Sequence, residues 1–188
     1  LLLQAKLTGA NTILYDEISS DIKEILVTEA RELLLIGVTL NRSTGAYYSR
    51  LEEKIRNKQS IRVLLVEPNS ETSKLIPRRT YKPTSEERLN TRILDTAELL
   101  CTLRAIAPDL VEIRTINFPT PFRCIATNIN SNDSSIALEY YSYKTTQDLP
   151  CVRVSKRTDE YWHSIYRTEI LNLWTAGKPW TCQPRQQL

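Results

Sequence analysis

Two apolar runs organise the first third of the chain: Leu33-Leu34-Leu35-Ile36-Gly37-Val38, and Ile61 to Val66 with Arg62 as its one polar interruption. Between them, Thr44 to Lys58 places Tyr47, Tyr48, Leu51 and Ile55 on one side of a helix and Glu52, Glu53 and Arg56 on the other. Ser43 and Thr44 supply hydroxyls suited to capping its start. Two continuous apolar strands joined by a helix predict a parallel βαβ unit with both faces of the sheet covered. Upstream, Ile18, Ile22, Ile25 and Leu26 recur at helical spacing among charged residues, which predicts an amphipathic helix over Asp16 to Ala30.

After Val66 the string Glu67-Pro68-Asn69-Ser70 predicts a turn, followed by a loop or short helix carrying the Pro-bounded, strongly basic Pro77-Arg78-Arg79-Thr80-Tyr81-Lys82-Pro83. A long helix is predicted over Thr84 to Ala107, capped by Thr84, with Glu86 and Glu87 in its first turn. It buries Leu89, Ile93, Ala97, Leu100 and Leu103, and Pro108 stops it. The rhythm then changes. Leu110–Ile116, Phe122–Ile129, Ser135–Tyr143 and Val152–Lys156 are short β-rich runs, several alternating apolar with polar, which predicts partly antiparallel, half-exposed strands. Asn128 to Ser134 reads as the turn of a hairpin. A last helix over Thr158 to Ala176 sets Trp162, Ile165, Tyr166, Ile170, Leu173 and Trp174 on one face, and Gly177 ends it. Residues 1–15 read as a linker or the end of a preceding segment, 16–180 as the domain and 181–188 as a polar, flexible tail.

Composition narrows the class more than the chemistry. With 188 residues, 41% hydrophobic and 25% charged, the chain can bury one core, and one mixed α/β domain is expected. A formal charge of +3 is well short of the concentrated positive charge of an obligate nucleic-acid binder. No apolar run approaches the roughly 20 residues that cross a bilayer, so no membrane partner and a cytoplasmic location are expected. There is no Met anywhere, the first position included, which reads as a piece processed or excised from a longer protein. The four cysteines, Cys101, Cys124, Cys151 and Cys182, form no C-x-x-C pair and read as structural or inert thiols, with no metal site and no cofactor expected.

One histidine, His163, removes most standard catalytic machinery, and its mid-helix position between Trp162 and Ser164 reads as packing. No P-loop, G-x-G-x-x-G, H-E-x-x-H or G-x-S-x-G string occurs. Glu67, directly after the second strand, and Glu139, within a β-run, are carboxylates that can face a ligand or equally well solvent. The best binding candidates are cations near loop ends: Arg42 after the first strand, Arg78 and Arg79 in the Pro-bounded loop, and Lys144 after the Tyr140, Tyr141, Tyr143 cluster. Arg42 stands just before the expected helix N-terminus, where free N–H groups and a guanidinium suit a phosphate. Tyr81 and the tyrosine cluster offer faces on which a base can stack; the competing reading makes the basic loops solvated and the tyrosines half-buried.

The strings Glu32-Leu-Leu-Leu-Ile-Gly-Val-Thr-Leu-Asn-Arg42, Leu51-Glu-Glu-Lys-Ile55 and Ile61-Arg-Val-Leu-Leu-Val-Glu-Pro-Asn-Ser70 resemble one half of the phospholipase D-like fold, and more closely bacterial domains of unassigned function in that superfamily. The resemblance in layout runs from about Glu17 to Trp180. It implies a three-layer α-β-α sandwich around a mixed, partly parallel sheet. It also implies an H-x-K signature in the strand near Phe122 to Ile129, whose histidine attacks phosphorus. Here that strand reads Pro121-Phe-Arg-Cys-Ile-Ala-Thr-Asn128, without histidine, so the family's phosphodiester cleavage is not expected and Arg123 is left as a basic contact.

These readings give a non-catalytic, phospholipase D-like regulatory domain of a larger bacterial protein. It would sense an anionic ligand, a phosphate-containing small molecule or nucleotide, through Arg42, Arg78, Arg79, Tyr81, Arg123, Glu139 and Lys144. The resemblance implies DNA contact through an N-terminal helix-turn-helix module outside this chain, and a homodimer is expected. Two alternatives stand beside it: a metal-dependent nuclease or phosphodiesterase using Glu67 and Glu139, and a purely dimerising module.

Overall fold

The computed structural model describes residues 14–15, 27–146 and 150–182. Its elements are β1 (Leu14–Tyr15), β2 (Glu32–Gly37), α1 (Asn41–Ala46), α2 (Tyr48–Arg56), β3 (Ser60–Val66), α3 (Glu71–Arg79), α4 (Glu86–Ile106), β4 (Val111–Ile116), β5 (Phe122–Thr127), β6 (Ser135–Tyr140), β7 (Cys151–Ser155), α5 (Glu160–Ala176) and β8 (Lys178–Pro179). The strands form one eight-stranded sheet in the order β1-β7-β6-β5-β2-β3-β4-β8. β2 and β3 run parallel, as the apolar runs predict; β4, read with the partly antiparallel strands that follow it, is parallel to β3 as well, whereas β5, β6 and β7 return antiparallel. The mixed α/β class is therefore observed.

Alternate residues of each central strand feed two cores. Leu33, Leu35, Val63 and Leu65 pack with Leu51, Ile55, Ile93 and Leu100 beneath α2 and α4. Leu34, Ile36 and Leu64 face the other way, onto Phe122, Ile170 and Trp174, where α5 covers the sheet. Burial on both faces is why these strands carry unbroken apolar runs. The two βαβ crossovers leave the carboxyl ends of β2 and β3, so those ends, together with the start of β5 and the end of β6, define one edge of the sheet.

The structure departs from the sequence reading at several joints. The helix expected over Thr44–Lys58 is two helices broken at Tyr47. It begins at Asn41, with no side-chain cap, because Leu40 takes a left-handed turn (φ 49°) straight out of β2. Ser43 and Thr44 are therefore inside the helix, and Arg42 lies in its first turn rather than ahead of it. Of the two forms left open for the segment carrying Pro77, loop or short helix, the helix is observed, and Pro77 lies in α3. Ser70 opens that helix by accepting from Ser73 N at 3.1 Å while Ser73 Oγ accepts from Ser70 N at 3.0 Å. α4 is capped by Ser85, not Thr84, and Ser85 Oγ accepts from Arg88 N. Leu14–Tyr15, placed in a linker, pairs with Val152 and Cys151 of β7. The helix expected over Asp16–Ala30 falls mostly outside the described residues, of which 27–29 are helical. Cys182, placed in the tail, is bonded to Cys101 through a disulfide, and Trp180 N donates to Ile113 O at 2.9 Å. No helix of the described residues is long and apolar enough to cross a membrane.

The buried stripe of α5 also differs. Trp162 and Ile165 are 47% and 41% exposed, while His163, Ile170 and Trp174 face the sheet. His163 Nε2 shares a 2.8 Å hydrogen bond with Ser134 Oγ, tying α5 to the β5–β6 hairpin. Burial, reinforced by the charges of Lys156 and Arg167, pulls the imidazole below its ordinary value of 6.5. Between that lowered pKa and 6.5 the unfolded chain binds more protons than the folded one, so this contribution is intact above pH 6.5 and is lost as pH falls through the folded-state pKa. Urea unfolding from about pH 7.5 down to about pH 5 is expected to show that acid loss in the parent and a flatter profile in His163→Gln.

Candidate anion-binding site

The sheet edge described above opens into a cleft of about 280 Å³. It is built where β2 ends. A Cβ on Gly37 would come within 2.6 Å of Leu40 Cδ2, so the missing side chain lets Leu40 fold back over the strand end. The left-handed Leu40 then reverses the chain, and Asn41 and Arg42 enter the wall of the cleft. A leucine at positive φ is an uncommon and costly conformation, of a kind concentrated at functional sites.

Four guanidinium side chains line this one opening: Arg42 from α1, Arg79 from the end of α3, Arg92 from α4 and Arg123 from β5. None of the lining residues is Asp or Glu. Arg79 is the best positioned. Its Nη1 donates to Thr120 O at 3.4 Å, and its guanidinium lies 4.4 Å from the ring centre of Tyr141. Its Nη2 is buried and makes no hydrogen bond to any described residue. Burial draws its pKa down from the ordinary arginine value, with Tyr141 opposing. The hydroxyl of Thr84, also on the wall, is likewise buried without a partner among the described residues. A buried donor left unsatisfied is destabilising until something accepts from it.

Tyr141 fixes the floor. Its Oη accepts from Val38 N at 3.2 Å, locking the end of β2 to the segment after β6. Burial pushes the phenol up, while the bond from Val38 and the charges of Arg123 and Arg79 pull the other way. Arg123 pairs with Glu139 directly across the β5–β6 ladder, and that carboxylate is nearly buried.

Of the residues expected to bind a ligand, the structure brings Arg42, Arg79 and Arg123 together, with Glu139 held behind Arg123. Arg78 and Tyr81 do not line the cleft and are exposed, Tyr81 at 60%. Lys144 is exposed too. Its backbone N–H donates to Arg79 O at 2.8 Å, but its ammonium sits over the ring of Tyr143, away from the lining set. Glu67 occupies the turn after β3, where its carbonyl accepts from Ser70 Oγ. The single histidine lies at the opposite end of β6, beside Ser134, far from the arginines. Arg92 completes the site without having been singled out as a ligand contact, and of the tyrosine cluster read as a stacking surface only Tyr141 lines the cleft. Among the described residues, no group of three or more His, Cys, Asp or Glu side chains is placed to hold a metal ion.

No family model matches the sequence, and no curated protein matches it. Among solved structures, the chain is similar to the archaeal chromatin protein TrmBL2, described as showing a novel mode of DNA binding. The identity is 13% and the TM-score 0.49, over 94% of this chain and 63% of that one. The chain thus spans less than two thirds of that neighbour.

Proposed function

We propose that the chain is a non-catalytic, phospholipase D-like regulatory domain that binds a small phosphate-bearing anion as part of a larger protein, in which a separate module carries the DNA contact. One observation carries the reading: four guanidinium groups converge on one cleft without a lining carboxylate, and one of them keeps a buried N–H unsatisfied. Like charges gathered at this density repel one another, and an anion relieves the repulsion while accepting the idle donors. Bidentate geometry favours phosphate over a halide. The layered sheet and the missing histidine on β5 fit a phospholipase D-like fold that has kept a basic pocket and lost its nucleophile. The metal-dependent alternative would rest on Glu67 and Glu139, but the second is engaged by Arg123.

Thermal unfolding with pyrophosphate, nucleoside phosphates and chloride at equal ionic strength tests this. At a ligand concentration of about 100 times Kd the folded state gains about 2.7 kcal/mol, a rise of several degrees in Tm. Arg79→Ala and Arg123→Ala are each expected to remove that rise, and Arg78→Ala to preserve it. Equal shifts from chloride and phosphate, or a shift that survives Arg79→Ala, would overturn the reading.

A further inference from the structure

A second opening, independent of the arginine cleft, runs for about 720 Å³ between α5, the end of β4 and β8. Its walls are mainly apolar. Ile116 and Leu173 form the base, and Phe118 and Ile165 stand at the lips, 51% and 41% exposed. Two charges line it. Lys178 is exposed at one end, on β8; Glu169 is half-buried, almost two helical turns before the end of α5, which places it about 10 Å further along the axis.

Glu169 is the unusual group. Its carboxylate makes no hydrogen bond and no ion pair with any described residue, although it borders apolar side chains. Burial raises its pKa above the ordinary carboxylate value. Behind it lies Tyr140, whose phenol is pushed up first by burial, with neighbouring Tyr166 and, last, Glu169 acting in the same direction. A carboxylate half-removed from water and lacking a partner is destabilising, and a cation delivered on an apolar body corrects both the lost solvation and the exposed hydrocarbon.

We infer that this groove binds an amphiphilic monocation, a small ligand whose ammonium head pairs with Glu169 while its aromatic or branched body lies against Phe118, Ile165 and Leu173. The volume falls in the range of small-molecule sites, and the mix of apolar wall with one convergent charge is characteristic of them. An anion would meet the Glu169 carboxylate, and a neutral body would leave it uncompensated. The charge of Lys178 is screened at the solvent-facing end.

Calorimetric titration of the whole chain with phenethylammonium and with its neutral isostere, phenethyl alcohol, tests the inference. The cation is expected to bind about tenfold more tightly than the alcohol. Glu169→Gln should erase that preference while leaving thermal unfolding in the absence of ligand no worse than in the parent, and Phe118→Ala should weaken both probes. Three outcomes would overturn it: equal affinity for the two probes, an unchanged preference in Glu169→Gln, or no saturable binding of either. Sedimentation showing that a second copy fills the groove, with self-association lost in Ile165→Glu, would also replace the small ligand as its occupant.

Discussion

Replacing Lys54 with methionine is expected to destabilise the protein by about 3 kcal/mol at neutral pH, although the substitution keeps most of the apolar stem and removes only the terminal ammonium. Lys54 on α2 is 2% exposed, among the most buried large side chains of the molecule. Its ammonium donates to three acceptors: Thr28 O at 3.2 Å, Gln59 Oε1 at 3.1 Å, and Ala30 O. All three donors are thereby satisfied, and the segment before β2 is held to the end of α2. Methionine leaves the buried Ala30 carbonyl without a partner. A second, independent signature follows from burial, which draws the Lys54 pKa down from 10.5 to about 8. Between those two values the unfolded chain holds more protons than the folded one. Stability assignable to Lys54 therefore rises with pH across that window, by on the order of 3 kcal/mol when complete. Denaturant unfolding of parent and Lys54→Met at about pH 7 and about pH 10, compared as a difference so that other titrating groups cancel, checks both statements. A parent-minus-variant gap that does not widen with pH would show that the ammonium is not desolvated.

The parts of this fold that were legible in the sequence share a cause: a local pattern repeated by a global packing demand. β2 and β3 read as buried parallel strands because both of their faces meet helices. β5 and β6 read as a hairpin because the Asn, Asp and Ser side chains of Asn128 to Ser134 favour a turn locally. The illegible parts are those where tertiary contacts overrode a local signal. Pro77 looks like a helix breaker, yet the two-serine bracket at Ser70 and Ser73 starts a helix early enough to carry it. Trp162 and Ile165 have the strongest apolar signal in α5, but the sheet takes His163 instead, because Ser134 supplies the imidazole with a partner. Within the cleft, Arg42 was readable as a cation after a strand and Arg79 as one in a Pro-bounded loop, while Arg123 followed only from the resemblance to the phospholipase D-like strand. Arg92 was not, since it sits one turn beyond Arg88 on a helix rich in solvated charges. The role of Tyr141 depends on a bond to Val38, a residue about a hundred positions away in the chain, which no spacing rule reports.

Cys182→Ser, or reduction of the Cys101–Cys182 disulfide, is expected to give the largest stability loss, up to about 4.5 kcal/mol from loop closure alone. The bond links α4 to the segment after β8 across 81 residues of sequence, so breaking it releases a long loop in the unfolded chain. The effect falls mainly on the unfolded state. In the folded state Trp180 remains tied through Arg104 Nη1 to its carbonyl at 3.1 Å and through its own N–H to Ile113. Urea unfolding of Cys101→Ser, Cys182→Ser and the double variant should therefore give three equal losses, since one bond is removed in each. Adding reductant should bring the parent to the same value and leave the variants unchanged. Four titratable thiols in the unreduced, unfolded protein would show that the bond does not form. The size of the loss also bears on the expected cytoplasmic location. A reducing cytosol keeps such thiols apart, so a domain that depends on this bond for several kcal/mol belongs in an oxidising compartment or in the disulfide-tolerant interior of a hyperthermophile. A domain that folds well without it keeps the reducing cytosol open, with the noncovalent anchors at Trp180 sufficient to hold the edge strand in place.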